Sequence, residues 1–327
     1  MLSTRPFGAT RRPVTSIGFG AWAIGGTWGE VTETAAKDAL NAALDAGMTF
    51  IDTADVYGDG RSERLIAEVL ATRSGDRPFV ATKAGRRLSP HTAEGYRDLS
   101  AFIDRSRTLL QMDTLDLVQL HCPPSAAYHD TAVFDALDAL HAKGHIAAYG
   151  VSVETVAEAM AALARPRVQS VQIIYNLFRP RPAQRFFRAA ERLGVSVIAR
   201  VPLASGLLTG KMTADTAFAA DDHRTFNRNG EAFDMGETFS GVPYDVGLAA
   251  VEELRKLVPA NATMAQFALR WIMMDPAVTV VIPGAKSADQ ARANVAADVL
   301  APLPEAAMQA ARQVYDTLIA PHVDHRW

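Results

Sequence analysis

At 327 residues, with 49% hydrophobic and 21% charged side chains, the chain can bury a full core, and its length suits one closed α/β barrel of roughly 250 residues with insertions. A net charge of -3 offers no basic field for nucleic acid, and no apolar run approaches the ~20 residues of a membrane span, so the expected partners are small molecules, not nucleic acid or membrane. The single cysteine, Cys122, excludes an internal disulfide, and the opening MLSTRPFGATRRPVTS has arginines without an apolar segment behind them, which points to a cytoplasmic protein.

In chain order, RPFGATRRPVTS comes first, and then apolar β-prone runs alternate with Ala- and Leu-rich helical stretches, the pattern of parallel βαβ units. Strands are expected over residues 17–20, 49–52, 79–82, 115–121, 147–151, 171–174, 195–200 and 279–282. Helical periodicity covers 35–46, 63–71, 132–142, 156–163, 183–193 and 288–296, with Gly47, Gly144 and Gly194 as helix stops and an added helix at 305–318. That count of strands suits a closed (β/α)8 barrel, read as a single domain over 1–327. The rhythm breaks from Leu203 to about Tyr244, a stretch rich in Gly, Asp, Asn and Phe that follows the seventh strand, and helix is expected to resume at Val246. Insertions of that length in compact domains are commonly lids or binding loops, and this one is expected on the catalytic face.

Four polar residues stand where strands should end: Asp52 in TFIDTADVYG, Tyr57 in the same turn, Lys83 in FVATKAG and His121 in LVQLHCPP. Sheet packing alone does not call for a carboxylate, a phenol, an ammonium and an imidazole at successive strand ends. Together they make a proton-handling site at the carboxyl end of a barrel.

The stretch FIDTADVYGDGRSERLIAEVL, then TKAG, DLVQLHCPP, PLASGLLTGK and VIPGAKSADQARANV, in this order and spacing, resembles the aldo-keto reductase superfamily over nearly the whole chain. The resemblance implies a (β/α)8 (TIM) barrel with an amino-terminal hairpin and a long loop after strand seven, acting as an NADPH-dependent carbonyl reductase. It also implies that NADP(H), with NAD(H) as the alternative, lies across the barrel top. Gln172 and Ser152 would bind the carboxamide. The backbone of Leu203, Ala204, Ser205 and Gly206 with Lys211 would hold the diphosphate, and Gly20, Ala21, Trp22, Asp52, Arg200 and Pro202 would also contact the coenzyme. Gly284, Lys286, Ser287, Gln290 and Asn294 would take the adenosine phosphate, where a helix start supplies free N–H groups and a favourable dipole.

Three departures from that pattern matter. Val153 follows Ser152 where an asparagine is common, Arg200 stands where an aromatic often stacks on the nicotinamide, and Gln290 stands where an arginine often meets the phosphate. A guanidinium plane can stack, but its charge disfavours the oxidised, cationic ring.

Hydride arriving at a carbonyl carbon leaves an alkoxide that needs a proton donor. Tyr57 can donate; Lys83 would lower its pKa, Asp52 would fix Lys83, and His121 could orient the carbonyl oxygen. Trp22, Trp28, Tyr57, Phe178 and Trp327 are candidate apolar walls for an aldehyde, ketone or sugar carbonyl. Arg179, Arg181 and Arg185 read first as solvated loop charges, Cys122 as a small buried thiol, and His141 with His145 lacks the carboxylate of a metal set. Two rivals are an NADPH-binding regulatory subunit of the same fold and a Schiff-base lyase using Lys83.

Overall fold

The computed structural model describes residues 1–326 apart from Thr27 and Glu30. The chain opens with an antiparallel hairpin of β1 (Thr4–Phe7) and β2 (Arg12–Thr15). Eight parallel strands follow among the described residues: β3 (Phe19–Gly20), β4 (Phe50–Asp52), β5 (Phe79–Ala84), β6 (Leu117–His121), β7 (Tyr149–Ser152), β8 (Val168–Ile174), β9 (Ser196–Arg200) and β10 (Val278–Val281). Each pairs with the next in sequence order. The ring closes where Gly18 N donates to Val281 O (2.8 Å), Val281 N to Ser16 O (2.9 Å) and Gly20 N to Pro283 O (3.0 Å). A Cβ on Gly20 would stand 2.6 Å from Ile282 O, so only glycine lets the two ends meet. The fold is a (β/α)8 barrel.

Strand side chains alternate between the barrel interior and the helix layer. Phe50, Phe79, Leu117, Ile198 and Val280 form an inner apolar cluster with Phe7 of the hairpin, whose ring lies 4.6 Å from Phe79 and 5.7 Å from Phe50. Hairpin and strand bases thus plug the bottom. Counting two or four residues onward from these positions reaches Asp52, Lys83, Gln119, His121 and Arg200, so the same parity that fills the base with phenyl rings fills the mouth with charge. Outward residues such as Ile51, Val80, Val118, Leu120 and Val171 join the larger core beneath the helices.

All six expected helices are present, the helix expected from Val246 runs over Tyr244–Arg255, and two more, Ser100–Leu110 and Met264–Met273, complete the outer layer. Gly194 caps its helix at φ 67°, and Gly47 and Gly144, also at positive φ, lie one residue past the caps Ala46 and Lys143. The carboxyl-terminal helix Glu305–Val314 runs on through a wider turn at Tyr315–Ile319 into Ala320–Val323. β5 extends two residues beyond its expected end, which places Lys83 within the strand. No helix among the described residues is long and apolar enough to cross a membrane.

The loop after β9 is more ordered than its composition predicts. It carries the turns Ala204–Thr209, His223–Phe226, Met235–Glu237 and Phe239–Gly241, and it buries Asp222, His223, Asn227, Glu237, Thr238, Phe239 and Ser240. Asp222 and Asp234 each cap a turn by accepting from the backbone N–H two residues on, at 2.9 and 2.7 Å.

Candidate active site

The four strand-end residues meet at the carboxyl end of the barrel. Lys83 Nζ, 1% exposed, donates to Asp52 Oδ1 (2.5 Å), to Thr53 O (2.9 Å) and to the Tyr57 hydroxyl (3.2 Å). The His121 ring stands edge-on to Tyr57 with centroids 5.9 Å apart. Asp52 Oδ2 accepts from Gln172 Nε2 (2.7 Å) and Gln119 Nε2 (3.2 Å), so both carboxylate oxygens are satisfied in a dry interior. The sequence reading did not single out Gln119; its parity with Leu117 and His121 on β6 was the available signal.

Burial acts to lower the Lys83 ammonium, but Asp52 and the Tyr57 oxygen outweigh it and hold the group above its ordinary value. Burial raises the Tyr57 phenol; Lys83 pulls the other way and Asp52 adds to the rise. The expectation that Lys83 would leave Tyr57 lowered is therefore corrected: the pull is present, and desolvation exceeds it. Burial, then Arg86, Lys83 and Arg200, hold His121 well below its ordinary value, so it is a neutral imidazole near pH 7. Its Nδ1 is buried without a hydrogen-bond partner. The Cys122 thiol is pushed up to about 11, mainly by burial, as suits an inert buried thiol.

Trp22 stacks on Tyr57 (centroids 6.1 Å, 17° between planes), and Trp28 meets Trp22 edge-on at 5.4 Å. The loop closes on this pair: the His223 ring lies 4.3 Å from Trp28 and 4.9 Å from Trp22, and Phe233 lies 6.0 Å from Trp22. Phe178, by contrast, is fully buried in the helix layer beside Gly247, and Trp327 lies outside the described residues.

The residues expected around a coenzyme fall into three neighbouring groups. Gly20, Ala21 and Asp52 are adjacent across β3 and β4, with Ala21 N donating to Asp52 O (2.8 Å). Ser152 and Gln172 pair across β7 and β8, and Ser152 Oγ lies 3.4 Å from Cys122 Sγ. In the turn after Pro202 and Leu203, Ala204, Ser205 and Gly206 take positive φ, while Lys211 is exposed beyond it. Arg224 of the loop bridges to Ser205 O (3.4 Å) and lies over Trp28 at 5.0 Å.

At the third group, Ser287 caps the helix Ala288–Val295, Gln290 Oε1 accepts from Lys286 N (2.8 Å), and Asn294 Nδ2 donates to Gly284 O (3.1 Å). The Lys286 ammonium reaches across to Trp28 O, and burial and the nearby Arg224 lower its pKa. Arg179 departs from the solvated reading: it is 1% exposed and donates to Glu154 O, because the loop folds over it. Arg181 instead bonds Asp324 O, and Arg185 stays exposed.

Residues 16–316 match the Aldo/keto reductase family. The chain belongs to that family. The aldo-keto reductase YhdN of Bacillus subtilis is 30% identical over 285 residues, spanning 85% of this chain and 83% of that protein. Among solved structures, the glycerol dehydrogenase AKR11B4 from Gluconobacter oxydans superposes with a TM-score of 0.77 at 28% identity, covering 98% of this chain and 96% of that one. The holo form of aldo-keto reductase AKR11C1 from Bacillus halodurans gives 0.75 at 26%, covering 96% of each chain. The family match begins directly after the hairpin, which ends at Thr15, and takes in the barrel together with the carboxyl-terminal helix Glu305–Val314.

Proposed function

We propose that this aldo-keto reductase family member is an NADP(H)-dependent oxidoreductase that reduces an aldehyde or ketone, or oxidises an alcohol or sugar in reverse, with Tyr57 as general acid and base. The observation that carries the reading is the buried relay from Asp52 through Lys83 to a phenol that faces a neutral His121.

NADP(H), when bound, supplies or accepts the hydride. Tyr57 gives its proton to the oxygen that becomes an alkoxide, and Lys83, fixed by three acceptors, stabilises the tyrosinate left behind. His121, neutral and with a free ring nitrogen, hydrogen-bonds and orients the carbonyl oxygen. With its amide donating to Asp52, Gln172 has Oε1 left to accept from a carboxamide, with Ser152 beside it. The positive-φ turn Ala204 to Gly206 with Lys211 suits a diphosphate, and Lys286, Gln290 and Asn294 at a capped helix start suit the adenosine end. Gln290 in place of an arginine keeps NAD(H) as the lesser alternative. Trp22, Trp28, His223 and Phe233 make an aromatic cover that favours a carbonyl with an apolar body.

A Schiff-base lyase is disfavoured because Lys83 is held protonated, and an imine forms only from the free amine. A purely regulatory role is disfavoured by the intact relay. The one cysteine, buried and unpaired, fits a cytoplasmic protein.

Fluorescence titration with NADPH and NADH, followed by a consumption assay on a panel of aldehydes and ketones, tests the reading. Tyr57→Phe is expected to cut turnover by about 10²- to 10⁴-fold with little change in NADPH affinity. A variant that reduces its best substrate at near the wild-type rate overturns the mechanism.

A further inference from the structure

Ionic side chains crowd the barrel mouth beside Ser152, and one of them belongs to the loop that follows β9. Glu237 Oε1 accepts from Arg86 Nη2 (2.6 Å), just past β5, and lies 3.2 Å from Arg200 Nη1 at the end of β9. Its backbone oxygen accepts from Ser205 Oγ (2.7 Å), which in turn accepts from Phe239 N (3.1 Å). The carboxylate is thus seated by the coenzyme turn itself. Arg200 Nη2 donates to Val153 O (3.0 Å) and lies 3.8 Å from Cys122 Sγ, the sulfur that touches Ser152 Oγ. Both guanidiniums stand around the strand ends that carry the proposed carboxamide ligands.

The charge balance there depends on Glu237. Glu154, the second carboxylate on Arg86 (3.1 Å), is pushed up to about 8 by burial and by the charge of Glu237. Burial also acts to raise Glu237, but Arg86 and Arg200 outweigh it and hold it at about 2. At neutral pH one loop carboxylate therefore faces two strand-end guanidiniums. Arg179 and Asp234, 4.0 Å apart, complete the surroundings and join the cluster through Glu154, whose backbone oxygen accepts from Arg179 and whose carboxyl meets Asp234.

A coenzyme ring that has lost its hydride carries one more positive charge than before. A bare guanidinium beside it repels that charge; a countercharged one does so far less. We propose that Glu237 is a positioning residue that, by pairing with Arg200 and Arg86, sets how tightly the oxidised coenzyme is held relative to the reduced one, and does so only while the loop is seated. This rests on the NADP(H) reading above. The sequence alone gives Arg200 as a residue that weakens retention of the oxidised form; seated Glu237 cancels much of that effect. Lifting the loop removes the countercharge and returns both guanidiniums to full strength, so opening the cover and loosening the oxidised coenzyme become one event.

The test is equilibrium titration of NADP+ and of NADPH into the wild type, Glu237→Gln, Arg200→Gln and the double variant at pH 6.5, each repeated in a Glu154→Gln background, because loss of the Glu237 charge would let Glu154 ionise and replace it. Glu237→Gln is expected to weaken NADP+ by about tenfold and NADPH by less than about threefold, the size of one unit-charge interaction across about 12 Å at an effective dielectric near 20. Arg200→Gln shifts the ratio of the two constants the opposite way, and the double variant returns it to within about threefold of wild type. Equal weakening of both coenzyme forms in Glu237→Gln, or a double variant whose ratio stays with the single one, overturns the proposal and leaves Glu237 a simple loop anchor. Should Glu237→Gln fail to fold, an unchanged ratio in Arg200→Gln overturns it alone. A wild-type chain that binds neither coenzyme overturns the cofactor reading itself.

Discussion

Replacing Lys83 with methionine keeps most of the side chain's volume and deletes its charge. Asp52 then remains 2% exposed with no cation, and removing one partner of a buried ion pair costs about 3–5 kcal/mol. Gln172 and Gln119 still donate to its other oxygen, at 2.7 and 3.2 Å, which places the expected loss near the lower end, about 3 kcal/mol. With an unfolding entropy of ~2.1 cal/mol/K per residue over 327 residues, that loss lowers Tm by about 4 °C. Scanning calorimetry on Lys83→Met measures it directly. Adding Asp52→Asn removes the stranded charge, so the double variant is expected to recover about half of the loss. A Lys83→Met Tm within ~1 °C of wild type, or a double variant less stable than the single one, would refute the claim that this pair is dry and mutually dependent.

Asp55 is fully buried with neither carboxylate oxygen partnered, and burial, then the charge of Glu63, push it up to about 7 from an ordinary value of 3.8. A raised folded-state value means its cost is absent below about pH 4, grows as pH rises and is complete above about pH 7; Asp55→Asn should therefore match wild type in urea melts at pH 4 and exceed it by about 2–4 kcal/mol at pH 8. No pH-dependent gap would mean that Asp55 is solvated or paired. Lys286→Ala should weaken NADPH by about 1.5–3 kcal/mol and NADH much less, measured by titration; equal losses would show that Lys286 does not meet the 2′-phosphate. Gly20→Ala, whose Cβ would press on Ile282 O at 2.6 Å, should lower stability by about 1–3 kcal/mol, and an unchanged urea midpoint would refute the tight seam.

The barrel was legible because its strands are buried on both faces and read as continuous apolar runs, as in Phe79 to Thr82 and Leu115 to Leu120. Asp52, Lys83 and His121 stood out by interrupting those runs. The two unpredicted helices escaped for different reasons. Ser100–Leu110 starts after Leu99 with no capping side chain, whereas Met264–Met273 carries a full capping box from Thr263 and Gln266 that was there to be read. The contacts of Glu237, Arg86 and Arg224 were not legible, because they join a loop to strand ends far away in sequence and no local period records such a meeting. Burial also reverses a sign that residue types alone predict: Lys83 does pull Tyr57 down, but only the folded environment tells how strongly desolvation pushes it up.

The join between β3 and β10 consists of isolated bridges, Ile17 with Val281 and Gly20 with Gly284, assisted by Arg5 donating to Asp275 O (2.9 Å) and Met273 O (2.8 Å). A ribosome emits residue 17 early and residue 281 close to the end of synthesis. Until then β3 and β9 are raw borders of an open sheet, each with unpaired amides able to template another nascent copy. Both borders therefore stay open through most of synthesis, and a pause placed after β9 would prolong that exposure.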